Sequence, residues 1–167
     1  MDFNERGLIE PGIHSMDMTE FYDTFVAQFT TSQRRQIIFN NLIDFIKSIS
    51  HSYKIYEIWI DGSYVTQKIN PNDVDIVIFF PLEDFIQVSK VWSSLRNAIN
   101  IDSYSAVAVT EETLNKLSPK DQIQAHNNRN YWKGQFGFDR QDQPKGIINI
   151  KWGKIEQYIE GGEPSVI

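Results

Sequence analysis

The apolar positions of this chain change period along its length. Phe21, Phe25 and Phe29 recur every four residues, and Ile37, Ile38, Leu42, Ile43, Phe45, Ile46 and Ile49 follow at helical spacing. Both sets are the one-sided stripes of helices packed on a core. The first helix is expected to be capped between Asp17 and Thr19. The second is expected to begin at Thr31 or Ser32 and to end near His51-Ser52. Strand-like runs then take over: Lys54 to Asp61, and Val74 to Phe80 closed by Pro81. From about Glu83, residues Phe85, Val88, Trp92, Leu95 and Ile99 return to spacings of three and four. A third strand is expected near Asp102 to Val109. Ser118-Pro119-Lys120-Asp121 starts a helix that runs toward Trp132, with a serine cap and a proline in the first turn. The β-branched run Gly146 to Trp152 is the last expected strand.

The order helix, helix, strand, strand, helix, strand, helix, strand predicts an α+β fold, a mixed β-sheet with helices mainly on one face. One domain over residues 1–167 accommodates it. Residues 1–17, broken by Gly7, Pro11 and Gly12, are expected to be an irregular N-terminal arm, and 161–167 a frayed tail. Strand alternation puts Glu57, Trp59 and Asp61 on one face and Ile58 and Ile60 on the other. It likewise turns Val74, Ile76 and Ile78 toward a core, which leaves Asp73 and Asp75 together on an open face.

Composition narrows the function. A net charge of −6 argues against a sequence-independent nucleic-acid binder, so long nucleic acid is disfavoured as a partner. The absence of cysteine excludes disulfides and zinc–thiolate sites. The three histidines, His14, His51 and His126, have no metal-ligand spacing, which disfavours histidine-based phosphodiester hydrolysis. No segment approaches the length of a membrane span. The opening Met-Asp-Phe-Asn-Glu-Arg lacks the basic start and apolar run of a signal peptide, so a cytoplasmic location is expected.

The chemistry concentrates between Tyr56 and Phe80. Asp73 and Asp75 lie roughly 7 Å apart at Cα on one strand face, where their charges repel. A hard divalent cation with oxygen ligands would offset them, especially Mg2+ carrying the phosphates of a nucleotide. Gly62-Ser63 follows the preceding strand, and such a pair lets backbone approach a phosphate and adds a hydroxyl and an N–H. Lys68 in the connecting loop is a candidate triphosphate contact or an exposed lysine. Arg34 and Arg35 are either a phosphate contact or a solvated helix face. The run His126 to Asn130 either lines a cleft or is an exposed helix end.

Gly62, Ser63, Asp73, Val74, Asp75 and Ile76, with nine residues between Ser63 and Asp73, resemble the signature of the polymerase-beta-like nucleotidyltransferase superfamily. The resemblance is closest to its minimal nucleotidyltransferase branch and covers this central stretch. The segments Gly7 to His14 and Pro144 to Ile147 also resemble an uncharacterised bacterial family sharing that fold. The resemblance implies a nucleotidyltransferase fold. It implies transfer of a nucleoside monophosphate from a nucleoside triphosphate to an acceptor hydroxyl, with Mg2+ (or Mn2+) held by Asp73 and Asp75. Gly62 and Ser63 would hold the β- and γ-phosphates. A third catalytic carboxylate would come from a neighbouring strand, and Asp102 is the candidate. The chain departs from the pattern in three ways. Asp61 precedes Gly62 where an apolar residue is usual, Thr66-Gln67 replace a second loop glycine, and Ser103 and Tyr104 stand near the expected third acid. These departures favour the alternative, a catalytically degenerate nucleotide-binding or protein-interaction module of a toxin–antitoxin or phage-defence pair. Small members of the superfamily lack the helical domain that binds the acceptor, so the resemblance allows a homodimer or a partner protein.

Overall fold

The computed structural model of the protein describes residues 1–161. The expected frayed tail lies outside them except for Gly161, which closes the last helix. The fold is α+β, with five strands in one mixed sheet.

The strands are β1 (Gly12–Ser15), β2 (Glu57–Asp61), β3 (Val74–Phe80), β4 (Ile101–Val107) and β5 (Gly146–Lys151), in the spatial order β1-β5-β2-β3-β4. β2 runs antiparallel to both its neighbours, β3 and β5, while β1 with β5 and β3 with β4 are parallel pairs. The helices are α1 (Met18–Tyr22), α2 (Arg35–Ser50), α3 (Leu82–Leu95), α4 (Glu111–Lys116), α5 (Pro119–Phe136) and α6 (Trp152–Gly161). Two starts are as expected. Asp17 caps α1 by accepting the N–H of Glu20, and Ser118 caps α5 by accepting that of Asp121. α1 passes at Asp23–Ala27 into a π-helical turn rather than continuing as one helix. α2 starts three residues after Ser32, whose Oγ still accepts the N–H of Arg35 at 3.1 Å.

Alternation in the strands divides the apolar side chains into two cores. Ile58, Ile60, Val74, Ile76, Ile78, Ile148 and Ile150 point to one face, where residues of α1, α2, α3 and α6 cover them. Trp59, Val77, Phe79 and Ile147 point to the other and pack with Ala106, Ala108 and Phe136 of α5. The second face, expected to be open, is therefore covered over its Glu57 half by α5. It opens only at the Asp61 and Asp75 end. An amphipathic stripe would have signalled that packing, but α5 buries only Ala125 and Phe136, too few to leave a stripe.

Three elements were not expected. β1 lies in the arm read as irregular and exists by parallel pairing with β5, which no local pattern announces. α4 is one short turn-and-a-half capped by Thr110. α6 follows β5 without a loop and contains Gly153, a poor helix former. Among the described residues, no helix is long and apolar enough to cross a membrane.

Candidate functional site

The strand register assembles the acids. Asp61 of β2 stands opposite Asp75 of β3, and Asp75 is in register with Asp102 of β4. Asp73 precedes Asp75 by two residues, immediately before β3 begins. A row of carboxylates thus crosses three adjacent strands that lie about 4.8 Å apart.

Gly62 makes room for the central acid. It has φ of +81°, a backbone region that L side chains rarely adopt. A Cβ on Gly62 would lie 2.0 Å from Asp75 Oδ2 and 3.0 Å from its Cγ. The carboxylate of Asp75 is therefore seated against bare backbone. Burial pushes its carboxyl up to about 6, and the charges of Asp73 and Asp102 add to the shift, while Lys145 and Arg140 oppose it. Asp61 is pushed up to about 6 by burial as well, against the opposing pull of Lys145 and of the Gly62 N–H.

These residues open into a cleft of about 790 Å³. Ser63, Thr66 and Lys68 line one side of it, from the loop between β2 and β3. Tyr104, Tyr131 and Trp132 form an aromatic wall, with Tyr104 and Trp132 in ring contact at 4.7 Å. The turn after α5 supplies Arg140 and Lys145. That turn is tied to the N-terminal arm by Arg6 and Asp139, 2.8 Å apart, and is shaped by Asp139 accepting the N–H groups of Gln141 and Gln143.

The loop carrying Ser63 and Lys68 hangs on Arg35. This side chain is 1% exposed. Its guanidinium donates to the carbonyls of Phe25, Tyr64, Thr66 and Lys68 at 2.6–3.2 Å, and it lies 3.7 Å from the Phe29 ring centroid. Burial lowers its pKa to about 10, which still leaves it charged. Arg35 is thus neither a solvated arginine nor a phosphate contact, because all its donors are used on backbone. Arg34 is exposed and donates to Asn72 Oδ1 at 2.9 Å.

Of the residues singled out from sequence, Gly62, Ser63, Lys68, Asp73 and Asp75 all line the cleft. Asp102 is exposed and in register with Asp75, yet it is not among the cleft's lining residues, whereas Tyr104 is. Among the described residues, no group of three or more His, Cys, Asp or Glu is placed to hold a metal ion. His14 donates to the Glu10 carbonyl at 2.6 Å, and His126 is exposed on α5. From the run His126 to Asn130, Arg129 turns away from the cleft and pairs with Glu57 at 2.8 Å. Sequence reasoning missed Lys145, Arg140, Tyr131 and Trp132. Asp61 was visible as an acid ending an apolar strand, a signal that some buried partner exists, but nothing local named Lys145 as that partner.

Comparison with known proteins places the chain in a family. Residues 1–151 match a family of unknown function, DUF6932, and the protein belongs to that family. No curated protein and no solved structure matches it.

Proposed function

We propose that the protein is a nucleotidyltransferase that moves a nucleoside monophosphate from a nucleoside triphosphate to an acceptor hydroxyl. One observation carries the reading: Asp73, immediately before β3, and Asp75 on it both line the cleft, with the Asp75 carboxylate seated on Gly62. The donor set suits Mg2+ (or Mn2+). Such an ion commonly takes one or two carboxylates and completes its shell with water and substrate phosphates. Asp73 and Asp75 supply two carboxylates, and the repulsion that adds to the burial of Asp75 is what a bound dication would relieve. When bound, the ion neutralises phosphate charge in the transition state.

The chain's own groups do the rest. Gly62 lets the backbone come close to the β- and γ-phosphates, Ser63 offers them its backbone N–H and hydroxyl, and Lys68 adds a cation on the same side. The planar base stacks on the wall of Tyr131 and Trp132. The acceptor oxygen bonds to the α-phosphorus as the bond from that phosphorus to the bridging oxygen breaks, and pyrophosphate leaves. The hydroxyl proton passes to a carboxylate, for which Asp102, one strand from Asp75, is the candidate.

A second reading has its own support. With no three-acid metal cluster among the described residues and Tyr104 in the cleft beside Asp75, the site suits nucleotide binding without turnover. The same fold then serves as a binding or interaction module, as a homodimer or with a partner protein.

Calorimetric titration of each nucleoside triphosphate with Mg2+ into wild type and Asp75→Asn tests both. Saturable, metal-dependent binding that the substitution abolishes is expected. Failure of folded wild type to bind any triphosphate sinks the enzyme reading and leaves only the interaction module. Binding without transfer of labelled nucleotide to any acceptor selects the second.

A further inference from the structure

A buried ion pair lies in the wall of the cleft, and neither reading above uses it. Lys145 Nζ is 2.7 Å from Asp61 Oδ1, with the two side chains 8% and 6% exposed. Asp61 immediately precedes Gly62, so the pair is joined through the chain to the glycine on which Asp75 rests. The lysine's backbone is held firmly. Its N–H donates to the Gly137 carbonyl at 2.9 Å, and a Cβ on the next residue, Gly146, would lie 2.3 Å from the Glu10 carbonyl oxygen. Both members of the pair line the cleft with Asp73 and Asp75, and the lysine charge is felt at Asp75.

Stability alone is a weak reason to keep such a pair. Burying two charges costs desolvation that their attraction offsets only in part, and an apolar pair of similar volume often packs as well. An ammonium has three N–H donors, and the Asp61 contact engages at most one of them. The others belong to a side chain whose rotamer is already fixed, so engaging a ligand orders nothing further. We propose that Lys145, tethered by Asp61, is a built-in phosphate anchor that donates to a phosphoryl oxygen of a polyphosphate held at Asp73 and Asp75. Asp61 is then a positioning residue, which accounts for an acid where the superfamily pattern has an apolar residue. The inference rests on the nucleotide reading above and adds to it a residue that the motif does not contain.

Inorganic tripolyphosphate with Mg2+ is the probe, titrated calorimetrically into wild type, Lys145→Met, Lys145→Arg and Asp75→Asn, with thermal unfolding of each. Lys145→Met is expected to weaken binding about tenfold or more, and Lys145→Arg to recover part of the loss. The dependence of affinity on salt should also flatten in Lys145→Met, a readout that a purely structural lysine would not move. The double variant Asp61→Leu/Lys145→Met exchanges the ion pair for apolar side chains and guards against misfolding. It is expected to fold and to bind as weakly as Lys145→Met. Wild-type affinity in a folded Lys145→Met or in the double variant overturns the anchor, while loss in Asp75→Asn leaves the site reading standing. No binding by wild type overturns both.

Discussion

β2 carries a buried carboxylate at each end of the same sheet face, and the two have opposite surroundings. Glu57 is 1% exposed, and its two oxygens meet two cations, Arg129 Nη1 at 2.8 Å and Lys151 Nζ. Arg129 also lies 4.5 Å from the Trp59 ring centroid, so the guanidinium seals α5 onto the sheet while it pairs. Asp61 meets one cation, Lys145, and stands opposite another acid, Asp75, which is itself raised by burial and then by Asp73 and Asp102. The Glu57 end has its charge answered from within and is closed. The Asp61 end is short of positive charge at its centre and opens to solvent. Two ends of one strand thus separate a structural latch from the site proposed for a cation and its anionic ligand.

The sharpest way to break this contrast is Gly62→Ala. The new Cβ must displace Asp75 Oδ2 from 2.0 Å and sit on a backbone with φ of +81°. Unfolding in urea is expected to show a loss of about 3 kcal/mol, together with loss of metal-dependent triphosphate binding. An undisturbed affinity would mean that the seat of Asp75 is irrelevant to the ligand.

A crossed pair of variants sharpens it next. Glu57→Gln should cost about 2 kcal/mol by leaving Arg129 and Lys151 without their carboxylate, yet leave triphosphate affinity unchanged. Asp75→Asn should do the reverse. It relieves repulsion, gains up to about 1 kcal/mol at neutral pH after allowance for solvent screening, and loses binding. If both variants moved stability and binding together, the two ends would be one cooperative unit rather than a latch and a site.

The smallest expected effect is in pH. Asp61 and Asp75 titrate at about 6 in the folded protein, against about 4 in an unfolded chain. Between those values the folded state holds protons that the unfolded state has released. Stability contributed by these groups is therefore present at low pH, falls as pH rises from about 4 to about 6, and then levels off. Urea unfolding across this window should show the slope, reduced in Asp75→Asn and kept in Glu57→Gln. An unchanged slope in Asp75→Asn would remove Asp75 from the account.

Local signals were readable wherever a structure depends on neighbours in the chain. Asp17 and Ser118 cap helices through hydrogen bonds that span three residues. β3 runs from Val74 to Phe80 as its alternation indicates. Gly62, Ser63, Lys68, Asp73 and Asp75 could be nominated because one loop brings them to the same cleft. Arg35 escaped because its acceptors are carbonyls scattered from Phe25 to Lys68, with no side-chain partner to read from composition. β1 and the closing action of α5 escaped because each depends on contact with another element rather than on its own pattern.

From the sequence alone came the alternation that sends Ile76 and Ile78 to one side of the sheet and Asp73 and Asp75 to the other. Strand geometry imposes it residue by residue, whatever the strand later pairs with. Tertiary structure alone decided that Asp61, Asp75 and Asp102 stand in register, that Lys145 answers Asp61 across 84 residues of chain, and that α5 closes one half of the face. Those outcomes are set by strand register and by the docking of a distant turn. Their energies arise only once the chain is folded and water has left the sheet.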